Sequence, residues 1–256
     1  LLSQVGGVEL LIHGRSSHGA HMAAQGLHLE GLKTLFVSNE EVFFSLEEVG
    51  IPQHASGTID FALLTGKAGQ TTYLAELAHQ LLNDEGMALS LSNGLGHAEQ
   101  CIEVLGPQRV FAATSTHGAW RPSPGVVHWA GKGQTVLGSL PGGPGETEAK
   151  PLLDVLLTAG LEPAWSSDGL ATLWKKVLLN IAINPLAALA GVENGALLHP
   201  DLFSSAFSTM LEGASVARME RVAIPDDAEL EQQLRQVLTA TSTNICSMLQ
   251  DIRAGR

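Results

Sequence analysis

The sequence predicts an α/β domain built on a parallel sheet, followed by an all-helical domain, and three observations carry that reading. Short β-branched runs alternate with amphipathic ones up to about residue 165, and from about residue 169 the strand-like runs stop. The composition, 45% hydrophobic against 16% charged, is that of a chain with a packed core. With 256 residues there is room for one large domain or two modest ones, and the expected division is 1–166 and 167–256.

Taken in order, Leu1 to Gln4 followed by Gly6-Gly7 looks like the last turns of a helix with a glycine cap, ahead of a strand over 8–13. A helix is expected over 18–25, and 27–37, around Gly31, reads as a small extended excursion. Strands follow over 58–64, 86–91, 110–113, 126–129 and 135–137, with helices over 71–82 and 98–105. Strand, helix, strand in repetition implies parallel pairing, because parallel neighbours need a long crossover that packs on the sheet. Residues 140–146 interleave three glycines with two prolines and make a surface loop. Pro163 and Ser166-Ser167-Asp168 interrupt the pattern, with Ser167 or Asp168 as the cap of the next helix. Long helical patterns then cover 170–190, 202–222 and 228–252.

Charge and cysteines narrow the class. A net charge of −12 has the wrong sign for a surface that follows a phosphate backbone, so nucleic acid is not an expected partner. Cys101 and Cys246 allow at most one disulfide and no cysteine-rich zinc site, which fits a reducing cytoplasm. The apolar windows around 177–190 are interrupted by Asn180, Asn184 and Pro185 and fall short of the ~20 residues of a membrane span, so no membrane partner is expected. Among His13, His18 and His21 only the last two have same-face spacing, without a carboxylate or thiolate nearby, so no metal site is expected. A homodimer is compatible with the sequence, which does not fix the oligomeric state.

The chemistry lies in two places. A dinucleotide fold usually carries G-x-G-x-x-G, whose glycines let the backbone approach a pyrophosphate; this sequence has only the imitations Gly94-Leu95-Gly96 and Gly131-Lys132-Gly133. If the strand over 8–13 is the second of such a fold, its end selects the cofactor. There Gly14-Arg15-Ser16-Ser17 offers a guanidinium and two hydroxyls, which suit the 2′-phosphate of NADP(H) better than the bare ribose of NAD. In the helical half, Lys176, Asn180 and Asn184 stand at i, i+4 and i+8, one polar line on an otherwise apolar helix. An exposed stripe would have more charged neighbours than Val177, Leu178, Leu179, Ile181 and Ile183, so the line reads as the lining of a site.

At this point the chain resembles the ketopantoate reductases. The family's W-x-K-x-x-x-N-x-x-x-N-P helix matches Trp174 through Pro185, its Asn-Gly pair matches Asn93-Gly94, its Thr-His turn matches Thr116-His117, and its substrate-side helix matches Asn244 through Ile252. Lys67-Ala68 sits where the family has a cofactor-contacting lysine. The resemblance implies a Rossmann-type nicotinamide-binding domain followed by a helical one, and reduction of 2-dehydropantoate to pantoate by NADPH. It makes Lys176 the proton donor, Arg15, Lys67 and Asn93 the cofactor contacts, and Asn93, Asn180, Asn184, Asn194, Asn244 and Ser247 the substrate contacts. Glu193-Asn194-Gly195 also has the composition of a plain turn, and Cys246 reads as a packed thiol. The alternatives are a reductase of another branched 2-oxo acid, or a non-catalytic domain. The family's first strand, its glycine loop and a substrate-binding Glu have no counterpart between Leu1 and Arg256, so the expectation is a fragment that is poorly soluble and inactive alone.

Overall fold

The computed structural model describes residues 1–47 and 50–255, and its chain divides into two compact units. Leu1–Ser92 and Gly96–Gly169 form the first, Asn93–Leu95 with the chain from Leu170 onward the second; Arg256, at the end of the expected helical domain, lies outside the described residues.

The first unit opens with a 3-10 turn over Leu2–Gln4 that is capped by Val5 in extended conformation and not by the expected glycine; Gly7, two residues on, is left-handed at φ +78°. There follow β1 (Leu11–Gly14), α1 (Ser16–Gln25), β2 (Leu27–Gly31), β3 (Leu35–Val37), β4 (Phe43–Leu46), β5 (Ile59–Leu64), α2 (Thr71–Leu81), β6 (Leu82–Ser90) and α3 (His97–Leu105). Next come β7 (Val110–Ser115), β8 (Gly118–Ser123), β9 (Val126–Gly131), β10 (Thr135–Gly138), α4 (Glu146–Thr158) and β11 (Pro163–Ser166). The main sheet runs β11-β10-β7-β6-β5, β1 pairs in parallel with β4, and a four-stranded sheet runs β3-β2-β9-β8. Strands β5, β6 and β7 are parallel, as the alternation of strands and helices demands.

The expected all-parallel sheet is corrected at β10, which lies antiparallel to β7 and parallel to β11, so the main sheet is mixed. The cause is the connection. Between β7 and β10 the chain runs through the hairpin β8–β9, with no helix on the face to carry it back to the starting edge. Val110 through Thr114 of β7 are all buried, as a central strand covered on both faces requires. Its Phe111 packs with Leu89, Leu137, Leu152 and Leu156, and meets the edge of Trp165 at 6.0 Å between ring centroids.

The second unit contains α5 (Gly169–Ala190), a 3-10 turn over Asn194–Leu198, α6 (Pro200–Met219), α7 (Asp227–Ala240) and α8 (Ser247–Arg253). Two expectations change. The helix expected over 170–190 forms as α5, but Asn180, Asn184 and Pro185 do not leave it short of a membrane span: at 22 residues it is long and apolar enough, by length and composition, to cross a membrane. Pro185 costs one backbone bond, and the helix keeps its course because Ala182, Ile183 and Ala187 on either side are packed in the core. That core also takes Trp174 and Leu178 of α5, with Leu197, Phe203, Met210, Leu230, Leu234 and Leu238 from the other helices. The expected helix over 228–252 is in fact two, since the Thr241-Ser242-Thr243-Asn244 run competes for backbone bonds and turns the chain.

Candidate functional site

Several of the residues matched to the family follow the ends of parallel strands. Lys67 follows β5 and precedes a 3-10 turn into α2; Asn93 follows β6; Thr116 and His117 follow β7. Ligands of open α/β sheets bind outside these carboxyl ends, where helix N-termini offer free N–H groups. Local bonds hold the loops together: Ser92 Oγ donates to the Gly66 carbonyl at 3.2 Å, and Thr71 Oγ1 lies 3.0 Å from His97 Nδ1, joining the starts of α2 and α3.

Arg15 sits between the end of β1 and the start of α1, with extended backbone, and is exposed together with Ser16 and Ser17. Ser16 takes a left-handed φ of +56°, unusual for a residue with a Cβ. The turn is tight because Gly14 and Gly19 touch: a Cβ on Gly14 would lie 2.9 Å from the Gly19 Cα. His13, one residue earlier, binds Ser45 of β4 through Nδ1 at 2.7 Å, and its Nε2 lies 3.2 Å from the Tyr73 hydroxyl. Tyr73 is in the first turn of α2, so these contacts tie β1 to β4 and to the helix that follows β5. Of the other histidines weighed as ligands, His18 has structural work: its Nδ1 accepts from the Gly125 N–H at 2.9 Å, and its imidazolium is disfavoured by burial, then by Arg121 and His21.

The remaining residues belong to the second unit. Asn93 is assigned there with Gly94 and Leu95, so that short loop joins the unit that carries Lys176. Lys176, Asn180 and Asn184 follow one another along α5, all half-buried, while Trp174, Leu178 and Ala182 pack into the core. Burial pushes the Lys176 ammonium below its ordinary value, since a charge taken out of water favours its neutral form. Asn244 and Ser247 are exposed, in the turn before α8 and at its first residue. Asn194, by contrast, is only 8% exposed and is tied to that same turn: its N–H donates to the Asn244 carbonyl at 3.0 Å and its Nδ2 to Thr241 Oγ1 at 3.0 Å.

Two contributors escaped the sequence reading. Thr241 is one, and the cluster of turn-forming residues that ends α7 was the signal for it. Cys246 is the other: it is buried, as a packed thiol should be, but its Sγ also caps α8 by accepting from the Leu249 N–H at 3.4 Å, and it donates to the Asn184 carbonyl at 3.6 Å. The thiol therefore links the α5 polar line to the helix that begins at Ser247. No sequence signal separates a capping cysteine from a filling one.

In chemical terms, the second unit presents one amine with a lowered pKa and several uncharged carboxamides. That set can give a proton to an oxygen and hold a small anion without repelling it.

Comparison with known proteins shows the family. Residues 1–142 match the family profile "Ketopantoate reductase PanE/ApbA", and residues 168–256 match its C-terminal counterpart. A 2-dehydropantoate 2-reductase of Pyrococcus horikoshii is 33% identical over the whole chain, which spans 80% of that relative; one of Archaeoglobus fulgidus is 31% identical with the same coverage. Among solved structures, 2-dehydropantoate 2-reductase from Geobacter metallireducens superposes with a TM-score of 0.85 at 24% identity, covering all of this chain and 82% of that one. D-mandelate dehydrogenase with NADH and anilino(oxo)acetate shares the fold with a TM-score of 0.85 at 22% identity, over 99% of this chain and 80% of that one.

Proposed function

The chain belongs to the ketopantoate reductase family, and from that premise we propose that it serves NADPH-dependent reduction of 2-dehydropantoate to pantoate. The observation that carries the proposal is the half-buried amine of Lys176, with its lowered pKa, in line with Asn180 and Asn184 on a helix otherwise given over to core packing.

The residues present fit the phosphate-bearing end of the cofactor. Arg15 is exposed at the strand-to-helix turn with two hydroxyl side chains beside it, and a guanidinium can engage a phosphate with two parallel bonds. Lys67, exposed at the end of β5, adds a second positive charge. The glycine fingerprint that would cradle the pyrophosphate has no counterpart in this sequence. When bound, the nicotinamide supplies a hydride to the keto carbon.

The protein's part is to bind, orient and protonate. Negative charge grows on the keto oxygen as the carbon is reduced, and Lys176, as the ammonium, binds that oxygen more strongly in the transition state than in the ketone. Its lowered pKa makes it a readier donor, and such general acids contribute roughly 10²–10⁴-fold in rate. Asn93, Asn180, Asn184, Asn194, Asn244 and Ser247 hold the carboxylate and the distal hydroxyl. Carboxamides suit this work because they donate and accept without adding to a net charge of −12, which already disfavours an anionic substrate.

The test is Lys176→Ala. Turnover should fall by two or more orders of magnitude while NADPH binding, followed by fluorescence titration, is retained. Near-parental reduction of 2-dehydropantoate by the variant would remove Lys176 from the reaction.

A further inference from the structure

We propose that Thr241 is a positioning residue for substrate selection: it fixes which way the Asn194 carboxamide is turned, and so presents the Asn194 carbonyl oxygen to a hydroxyl group of the substrate. The inference rests on the reading of the second unit as the substrate side, and it concerns a residue outside the line on α5.

The argument is a count of protons. A threonine hydroxyl has one to give. Thr241 Oγ1 lies 2.7 Å from the Val237 carbonyl oxygen, which can only accept, so the proton is spent there. The same Oγ1 is therefore an acceptor towards its other neighbour, 3.0 Å away, and that neighbour is the NH2 end of Asn194. With the NH2 committed to Thr241, Oδ1 points the opposite way. Oδ1 is buried and has no hydrogen-bond partner among the described residues.

The backbone leaves the amide little other freedom. Asn194 N–H donates to the Asn244 carbonyl at 3.0 Å, and Gly195 N–H to the Ser242 carbonyl at 2.9 Å. Gly195 approaches so closely that a Cβ there would lie 2.8 Å from Ser242 Cβ and 2.9 Å from its carbonyl oxygen. What remains is a half-turn of the carboxamide about its terminal torsion, a broad two-fold rotor in asparagine, and Thr241 removes it. The result is a fixed, desolvated acceptor. Such a group is costly to leave unpaired and discriminates strongly for ligands that bring a donor. A 2-oxo acid carrying a further hydroxyl brings one; the same skeleton without the hydroxyl does not.

The experiment compares the 256-residue chain with Thr241→Val, which keeps the shape and loses the hydroxyl, and Thr241→Ser, which restores it. The first readout is the ratio of kcat/KM for 2-dehydropantoate to that for 3,3-dimethyl-2-oxobutanoate, which has the same skeleton without the hydroxyl. Thr241→Val should lower this ratio about ten-fold, the scale of one lost hydrogen bond, mainly through KM, and Thr241→Ser should recover it. A merely structural role would depress both acids alike, and an unmoved ratio overturns the proposal. The second readout needs no turnover: the Asn194 side-chain amide hydrogens should exchange slowly in the parent and Thr241→Ser chains and fast in Thr241→Val. Equal exchange in all three also overturns it. If no form turns over either acid, calorimetric binding of pantoate against 2-hydroxy-3,3-dimethylbutanoate replaces the first readout, with the same change in ratio expected; failure of pantoate to bind any form counts against the reading of the reaction, and the amide exchange still decides the role of Thr241.

Discussion

Alanine at position 169 sets two physical arguments against each other. Helix propensity says that Gly169→Ala, at the first residue of α5, stabilises the chain by up to about 1 kcal/mol. The packing says the opposite. A methyl on Gly169 would sit 2.6 Å from the Ser139 carbonyl oxygen and 2.9 Å from the carbonyl carbon and oxygen of Gly138, where ordinary contact begins at 3.4 Å. All three are backbone atoms, so no side-chain rotation relieves the clash, and either the end of β10 or the start of the helix must move. The Gly169 N–H bond to the Ser139 carbonyl, 2.8 Å long, is the first to stretch. Overpacking of this kind costs about 1–3 kcal/mol, and a weakened backbone bond adds about 0.5–1.5 kcal/mol. Set against the propensity gain, the net expectation is a loss of about 2 kcal/mol, or a fall in Tm of about 4–8 °C. Urea unfolding followed by far-UV circular dichroism and tryptophan fluorescence measures it. Gly69→Ala is the control, since a Cβ there meets nothing within 4 Å and φ is not left-handed; it should change stability by less than about 0.5 kcal/mol. A Gly169→Ala chain as stable as its parent, or more so, would refute the reasoning.

Three further outcomes follow from the sites. Because burial lowers the Lys176 pKa from 10.5, the unfolded chain binds that proton more tightly than the folded one. Its charge therefore costs stability at neutral pH, and the cost shrinks as pH rises towards 10.5. Lys176→Met should be more stable than the parent at pH 7, with the gap closing in denaturation curves taken up to about pH 10.5; a less stable variant at pH 7 would contradict this. Arg15→Asp should weaken NADPH binding and shift preference towards NADH, since a carboxylate repels a phosphate and accepts from ribose hydroxyls; unchanged discrimination in paired titrations would take Arg15 out of the site. Cys246→Ala should cost about 1 kcal/mol through loss of the α8 cap, while Cys246→Ser, a better cap, should not; equal unfolding midpoints for the two would mean the thiol only fills space.

Periodicity made much of this protein readable in advance, because it is written into neighbouring residues. Strands β5, β7, β9 and β10, helices α1 to α3, and the polar line of Lys176, Asn180 and Asn184 each follow from spacing within a dozen residues. The change at about residue 169 from alternating elements to helices alone was equally local.

Direction and partnership were not written there. Nothing in Thr135 to Gly138 says that β10 runs antiparallel to β7, because strand direction depends on the path of the intervening hairpin. Pro185 removes a backbone bond from a helix expected over 170–190, and only the packing of Ala182, Ile183 and Ala187 shows what supports the helix there. Asn194 read both as a turn residue and as a ligand-binding one, and its carboxamide is turned by Thr241, 47 positions away. Glycine is a poor helix former by propensity, and only the Ser139 and Gly138 carbonyls close to Gly169 explain the absent side chain. Periodicity is a property of consecutive residues and survives in the bare sequence. The direction of a strand, the orientation of an amide and the space left for a methyl group depend on atoms from distant segments, and only folding brings those together.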